Sequence, residues 1–192
     1  MRLPVSFFAR PTLEVAPDLL GATLFVEGQG GICSGRITEV EAYLGQDDPA
    51  SHACGGPTPR SAIMFGPPGR AYVYFIYGMH HCLNFVTEED GRAGAVLIRA
   101  LQPLSGLETM RQRRGGVPDR HLCDGPGKLC QALGIDREWN GLPLDGTGER
   151  ILYLEARREK PGMAQTPRIG ISKAVDSPYR FLLMDPEAGS GS

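Results

Sequence analysis

Glu41, Tyr43 and Arg99 are the residues whose types and spacing point first to chemistry. Glu41 and Tyr43 lie two apart in the run from Cys33 to Leu44, which reads as a strand, so both project from one face. Arg99 belongs to a second strand-like run, Ala95 to Leu101. A carboxylate that takes a proton from water has to stay ionised and fixed, and a nearby guanidinium favours the charged form while bonding to it in a fork. Ile37 and Glu39 share the face by the same period of two. Glu39 therefore competes as the base, and a plain cross-strand ion pair is the structural alternative.

A second set of candidates surrounds an aromatic hairpin. Ala71 to Ile76 and Met79 to Thr87 are apolar and aromatic runs separated by Tyr77-Gly78, a turn signal. Tyr72 and Phe75 are explained by sheet packing. Tyr77 at the tip has no core to fill, and an exposed bulky side chain there suits a wedge pushed into a base stack. His52, His80, His81 and Cys82 invite a zinc reading, but neighbouring strand residues point to opposite faces and no metal signature is present, so no metal is expected. Two glycine-rich turns follow, Gly66 to Arg70 and Gly125 to Lys128. Leu129 stands where a nucleotide-hydrolysing P-loop needs a hydroxyl, which leaves Lys128 beside a helix start as a seat for one phosphate.

These side chains need elements to hold them. The pattern predicts a short helix from Thr12, as N-cap, to Leu20, interrupted by Pro17, and strands over Ala22 to Glu27 and Cys33 to Leu44. Ser105 to Glu108 reads as a capping box opening a helix with Leu104, Leu107 and Met110 on one side and Arg111, Arg113 and Arg114 at a basic end. A bounded helix runs from Gly125-Pro126 to Gly134. Strands are expected at Ile151 to Leu154, Arg168 to Ser172 and Arg180 to Met184, and residues 185–192 read as a disordered tail. Gln46 to Gly69 is a polar, Gly- and Pro-rich loop long enough to suggest function.

Composition sets outer bounds. The 192 residues suit one domain, expected over 1–184, and 26 Gly with 16 Pro imply many turns and short elements. Five cysteines without a C-x-x-C pair read as reduced thiols. No stretch approaches the roughly 18 apolar residues of a membrane span, and no apolar leader opens the chain, so a cytoplasmic protein with no targeting signal is expected. A net charge of −2 offers no global basic imbalance, so any nucleic-acid contact must come from a local patch.

Seven blocks in one order carry a family resemblance: Arg36 to Gly45, Asp48 to His52, Met64 to Gly69, Tyr72 to Met79, Cys82 to Asn84, Val96 to Pro103 and Gly125 to Leu133. In them the chain resembles the alkyladenine (3-methyladenine, N-methylpurine) DNA glycosylase family. The resemblance implies an α+β fold, a single compact domain with a curved, largely antiparallel sheet, short peripheral helices and a protruding β-hairpin. It implies a monofunctional enzyme without cofactor that flips an alkylated or deaminated purine (3-methyladenine, 7-methylguanine or hypoxanthine) from duplex DNA and hydrolyses its N-glycosidic bond. Glu41 would activate the water with Arg99 as charge partner. Tyr43, His52 and Tyr74 would line the base slot, Ala50 and Ile171 would act through their main chain, and Asn84 would disfavour guanine. Tyr77 would plug the duplex beside Met79, and Lys128 and Arg111 would meet the DNA backbone. A monomer of bacterial type, associated with the nucleoid, is expected. Two alternatives stand beside this reading: a bifunctional glycosylase/lyase using Lys128 or Lys173, and a non-catalytic damaged-DNA-binding module.

Overall fold

Strand β2 (Gly31–Tyr43) organises a single antiparallel sheet in the computed structural model, which describes residues 1–184; the tail expected at 185–192 lies outside the described residues. Along one edge β2 pairs with β5 (Ala95–Ser105), which continues through β4 (His80–Val86) to β3 (Ala71–Ile76). Along its other edge the first half of β2 pairs with β1 (Thr23–Gly28) and the second half with β8 (Arg180–Leu183). Outer strands β6 (Ile151–Glu155) and β7 (Met163–Thr166) complete these two branches. A strand that serves two different neighbours along one edge forces the sheet to curl. The result is the expected α+β class, with helices α1 (Val5–Phe8), α2 (Thr12–Leu19), α3 (Leu107–Arg113) and α4 (Pro126–Leu133) at the periphery.

The two faces of the sheet are unequal. Val40, Ala42, Val73, Leu83, Phe85, Val96 and Ile98 alternate onto one face and pack with α2 and α4 in the main core. Their neighbours Tyr72, Val86 and Ala95 turn the other way and form a smaller core with Ala53, Met64 and Ala93. Ala53 and Met64 belong to the long loop after β2, so that loop is packed against the second face. Among the described residues no helix is long and apolar enough to cross a membrane.

Four local expectations change. Ile37 lies in the main core, away from Glu39 and Glu41, because bulges between Ile37 and Val40 shift the alternation by one residue. Thr12 is the first residue of α2 rather than its cap. Glu88, 76 residues away, supplies the cap by accepting the Thr12 N–H at 2.7 Å and its hydroxyl at 2.7 Å. The capping box at Ser105 does not form, because β5 runs on through Leu104 to Ser105, whose hydroxyl pairs with Ser34 at 2.7 Å and leaves Gly106 to start α3. Arg168 to Ser172 is not a strand, since its backbone turns to meet other groups, as described below; the strand at the sheet branch is β7.

Gly45, at the exit from β2, faces the Ala93 carbonyl oxygen so closely that a Cβ would lie 2.8 Å from it. Gly45→Ala is expected to destabilise the protein by roughly 1–3 kcal/mol, the scale of overpacking against a backbone that cannot retreat; chemical denaturation measures it.

Candidate active site

Glu41 has no exposed surface, yet two hydrogen-bond donors and a guanidinium meet its carboxylate. The Tyr43 hydroxyl donates to Oε2 at 2.8 Å, the Ile169 N–H donates to Oε1 at 2.7 Å, and Arg99 Nη1 stands 3.4 Å from Oε2. A buried carboxylate needs such partners to remain charged. Tyr43 stays a donor, because burial and then the charge of Glu41 push its phenol far above the ordinary range.

Arg99 is shared between the two acids. Its Nε donates to Glu39 Oε1 at 2.8 Å, closer than its approach to Glu41. Arg180 Nε donates to the same Glu39 oxygen at 2.6 Å. Burial pulls the Arg99 pKa down, but the Glu41 charge and the Glu39 hydrogen bond outweigh it and hold the guanidinium above its usual value. Glu39 is thus bound by two arginines, whereas Glu41 is tied to Tyr43, which lines a cavity, and to Ile169, whose neighbours Gly170 and Ile171 line it.

That cavity, of about 380 Å³, opens on the second face of the sheet. Tyr43, Ala50, His52, Tyr74, Asn84 and Ile171 all line it, so the six residues expected at the base converge from β2, the long loop, β3, β4 and the chain before β8. Glu41 and Arg99 stand behind this wall. The His52 ring lies edge-on to Tyr74, centroids 4.7 Å apart, with Nδ1 at 2.9 Å from the Tyr72 hydroxyl. Burial, then the charge of Arg60, lowers the His52 pKa and favours a neutral ring. Asn84 is buried and immobilised, its Nδ2 donating to the main-chain carbonyls of Tyr72 at 3.1 Å and Cys82 at 3.4 Å. The Ala50 N–H is already given to Asp48 at 3.1 Å, so the carbonyl is the main-chain group left for a ligand.

The hairpin tip projects beyond the cavity. Tyr77 is 82% exposed and Met79 68%. Tyr77 and Gly78 both adopt positive φ, +52° and +68°, in a turn closed by the Met79 N–H to the Ile76 carbonyl. A tyrosine in that region costs about 1–2 kcal/mol, so the turn holds an aromatic in water against both its solvation and its backbone preference.

Lys128 and Arg111 do not line the cavity. Lys128 Nζ pairs with Asp124 at 2.9 Å and Arg111 forks onto Asp119 at 2.7 and 2.8 Å, so each charge already has an acid. The start of α4 does lie against the hairpin, since a Cβ on Gly127 would meet the His80 ring at 2.9 Å. Lys173 is in the cavity wall but exposed. The histidines and Cys82 are dispersed: His52 in the cavity, His81 on Phe75, His80 by α4. Among the described residues no group of three His, Cys, Asp or Glu is gathered to hold a metal.

The sequence reading overlooked Asp48 and Arg168, a fully buried pair at 2.6 Å. Asp48 opens one of the ordered blocks, but its partner is 120 residues away in what reads as a strand, and no local spacing connects them. Burial would raise the Asp48 pKa, but the bonds from Arg168, Leu44 N–H and Ala50 N–H outweigh it and hold it below its ordinary value.

Comparison with known proteins fits this geometry. The family model described as methylpurine-DNA glycosylase matches residues 6–187. A protein of Rhodopseudomonas palustris (strain BisB18) is 57% identical over 182 residues, covering 95% of this chain and 87% of its own. One of Carboxydothermus hydrogenoformans is 50% identical over 185 residues, covering 95% of both chains, and one of Nitrosospira multiformis is 49% identical over 183 residues, covering 95% and 91%. All three carry the provisional name 3-methyladenine DNA glycosylase.

Because its folded pKa is depressed, Asp48 contributes stability above the unfolded value of 3.8, and that contribution is lost as pH falls through the lower folded value. Asp48→Asn is therefore expected to lower the melting temperature fully at neutral pH and progressively less below pH 3.8, which paired thermal melts across the acid range measure.

Proposed function

The chain belongs to the methylpurine-DNA glycosylase family, and on that premise we propose that this DNA glycosylase flips a damaged purine into the cavity and hydrolyses its N-glycosidic bond with water activated by Glu41. The observation that carries the reading is the unexposed carboxylate, held by two hydrogen bonds and an ion pair, behind an aromatic-lined cavity. An ionised carboxylate offers roughly four lone-pair positions. Tyr43 and Ile169 take two and Arg99 adds an ion pair at 3.4 Å, which leaves acceptor capacity for a water proton.

Departure of a purine passes through a cationic, oxocarbenium-like sugar. A fixed negative charge stabilises that cation and a positioned water traps it. Methylation at N3 or N7 already weakens the bond, so 3-methyladenine and 7-methylguanine need little help from the protein. Hypoxanthine carries no such charge and needs protonation as it leaves. The cavity volume and its lining of Tyr43, His52 and Tyr74 suit one flat base, which a neutral His52 meets without charge. Asn84, locked by its two main-chain bonds, acts as a steric gate against the exocyclic amino group of guanine. Ala50 and Ile171 contribute main-chain contacts to the base.

Tyr77 fills the gap left in the duplex, with Met79 beside it in the minor groove, and the strained turn presents both without refolding. Lys128 and Arg111 contact the DNA backbone by exchanging an acid for a phosphate. Every role is filled from one copy of the chain, which supports action as a monomer, and a nucleoid-associated enzyme of the bacterial cytoplasm fits the substrate. A lyase step would need a desolvated amine, and Lys173 is solvated while Lys128 is outside the cavity. A pure binding module would have no use for a charge buried at this cost.

Glu41→Gln is expected to lower base release by on the order of 10² to 10⁴ or more while leaving lesion binding nearly intact. Duplexes carrying 7-methylguanine or hypoxanthine, cleaved with alkali at abasic sites, measure it, and release equal to wild type overturns the assignment. Tyr77→Ala is expected to weaken binding to a lesion duplex by roughly 1–3 kcal/mol, the worth of one stacked aromatic, and a fluorescence titration reads this.

A further inference from the structure

We infer that Arg168, gripped by Asp48, is a positioning residue for the proposed base Glu41, an inference that rests on the reading of that residue above. Both hydrogen-bond donors to the Glu41 carboxylate are held by this one guanidinium. The Tyr43 ring lies beneath it, 4.8 Å from its carbon to the ring centroid, and Tyr179 lies 5.2 Å away. The N–H that reaches Oε1 belongs to Ile169, the next residue in the chain.

The guanidinium is itself over-determined. Nη1 donates to Asp48 Oδ2 at 2.6 Å and to the Ala42 carbonyl at 3.0 Å, and Nη2 donates to Asp48 Oδ1 at 2.9 Å. Asp48 in turn accepts the Leu44 N–H at 3.0 Å and the Ala50 N–H at 3.1 Å. The pair therefore clamps three pieces of chain: the end of β2 that carries Glu41 and Tyr43, the loop that carries Ala50, and the segment 168–171.

Stability alone is a poor reason for such a pair. Side-chain exposure is 0% for Arg168 and 2% for Asp48, and Arg168 Nε is buried without a partner. Buried ion pairs commonly give no more stability than apolar residues of the same volume. What apolar residues could not supply is a planar fork that stacks on a tyrosine, bonds bidentately to a carboxylate and fixes the direction of the following N–H. Lysine cannot supply it either.

The test compares wild type with Arg168→Lys, which keeps the charge but not the plane, and with Asp48→Asn/Arg168→Gln, which removes both buried charges and keeps one amide oxygen to accept from Leu44 or Ala50. Single-turnover release of hypoxanthine is measured against enzyme concentration, with thermal melting of each variant beside it. The rate at saturation is expected to fall on the order of 10²-fold, the effect of a small misplacement at a reacting centre, while half-saturation changes little and melting remains cooperative. A merely structural pair would lower the melting temperature and leave the saturated rate of the folded enzyme at the wild-type value, and that result overturns the inference. Absence of release by wild type from both hypoxanthine and 7-methylguanine duplexes overturns the reading of the site itself, and is distinguishable because the variants then have no rate to lose.

Discussion

A carboxylate without exposed surface imposes the plan of this protein. Glu41 has to be charged to be of use, and a charge removed from water is tolerated only when donors replace the water. The donors come from its own strand, from β5 and from a segment more than a hundred residues later. Bringing them together requires β2 to hold β5 on one side and β8 on the other, which is the branching that curls the sheet. Arg99 and Arg180 then share Glu39, so the neighbouring acid serves to hold the cations in place.

Unequal packing of the sheet's faces creates the space in front of that carboxylate. One face is closed by α2, α4 and a continuous apolar cluster. The other is only partly covered by the loop after β2, whose Ala53 and Met64 anchor it over Tyr72 and Ala95 and whose Ala50 and His52 reach the cavity. Stability is concentrated on the first face, and the second is free to be concave and aromatic. The hairpin extends the same logic: Val73 and Leu83 bury its base in the main core, and this rigid root carries the strained, exposed Tyr77.

Wherever neighbours in sequence set the structure, the sequence was readable. β3 and α4 fall where alternation and the Gly-Pro and Gly boundaries place them, and Tyr77 stands at a turn as its glycine neighbour indicates. The misreadings share one cause. Thr12 looks like a cap because it is a threonine before an apolar run, yet a distant glutamate does the capping. Ser105 with Glu108 has the spacing of a capping box, but Ser34 had already claimed the serine for the sheet. Ile37 keeps the period of two on paper, and a bulge forced by pairing with β5 moves it to the core.

The chain's own residues determine that Glu41 and Tyr43 share a face, that an aromatic stands at a hairpin tip, and that the ordered blocks belong to one family. These depend on periodicity, turn chemistry and motif order, all of which are local. Tertiary structure alone decided that Glu41 rather than Glu39 bonds to a tyrosine of the cavity wall, that Arg99 divides itself between them, and that Asp48 meets Arg168. A buried charge takes its partners from whatever segments the fold carries past it, and no spacing along the chain encodes which ones arrive.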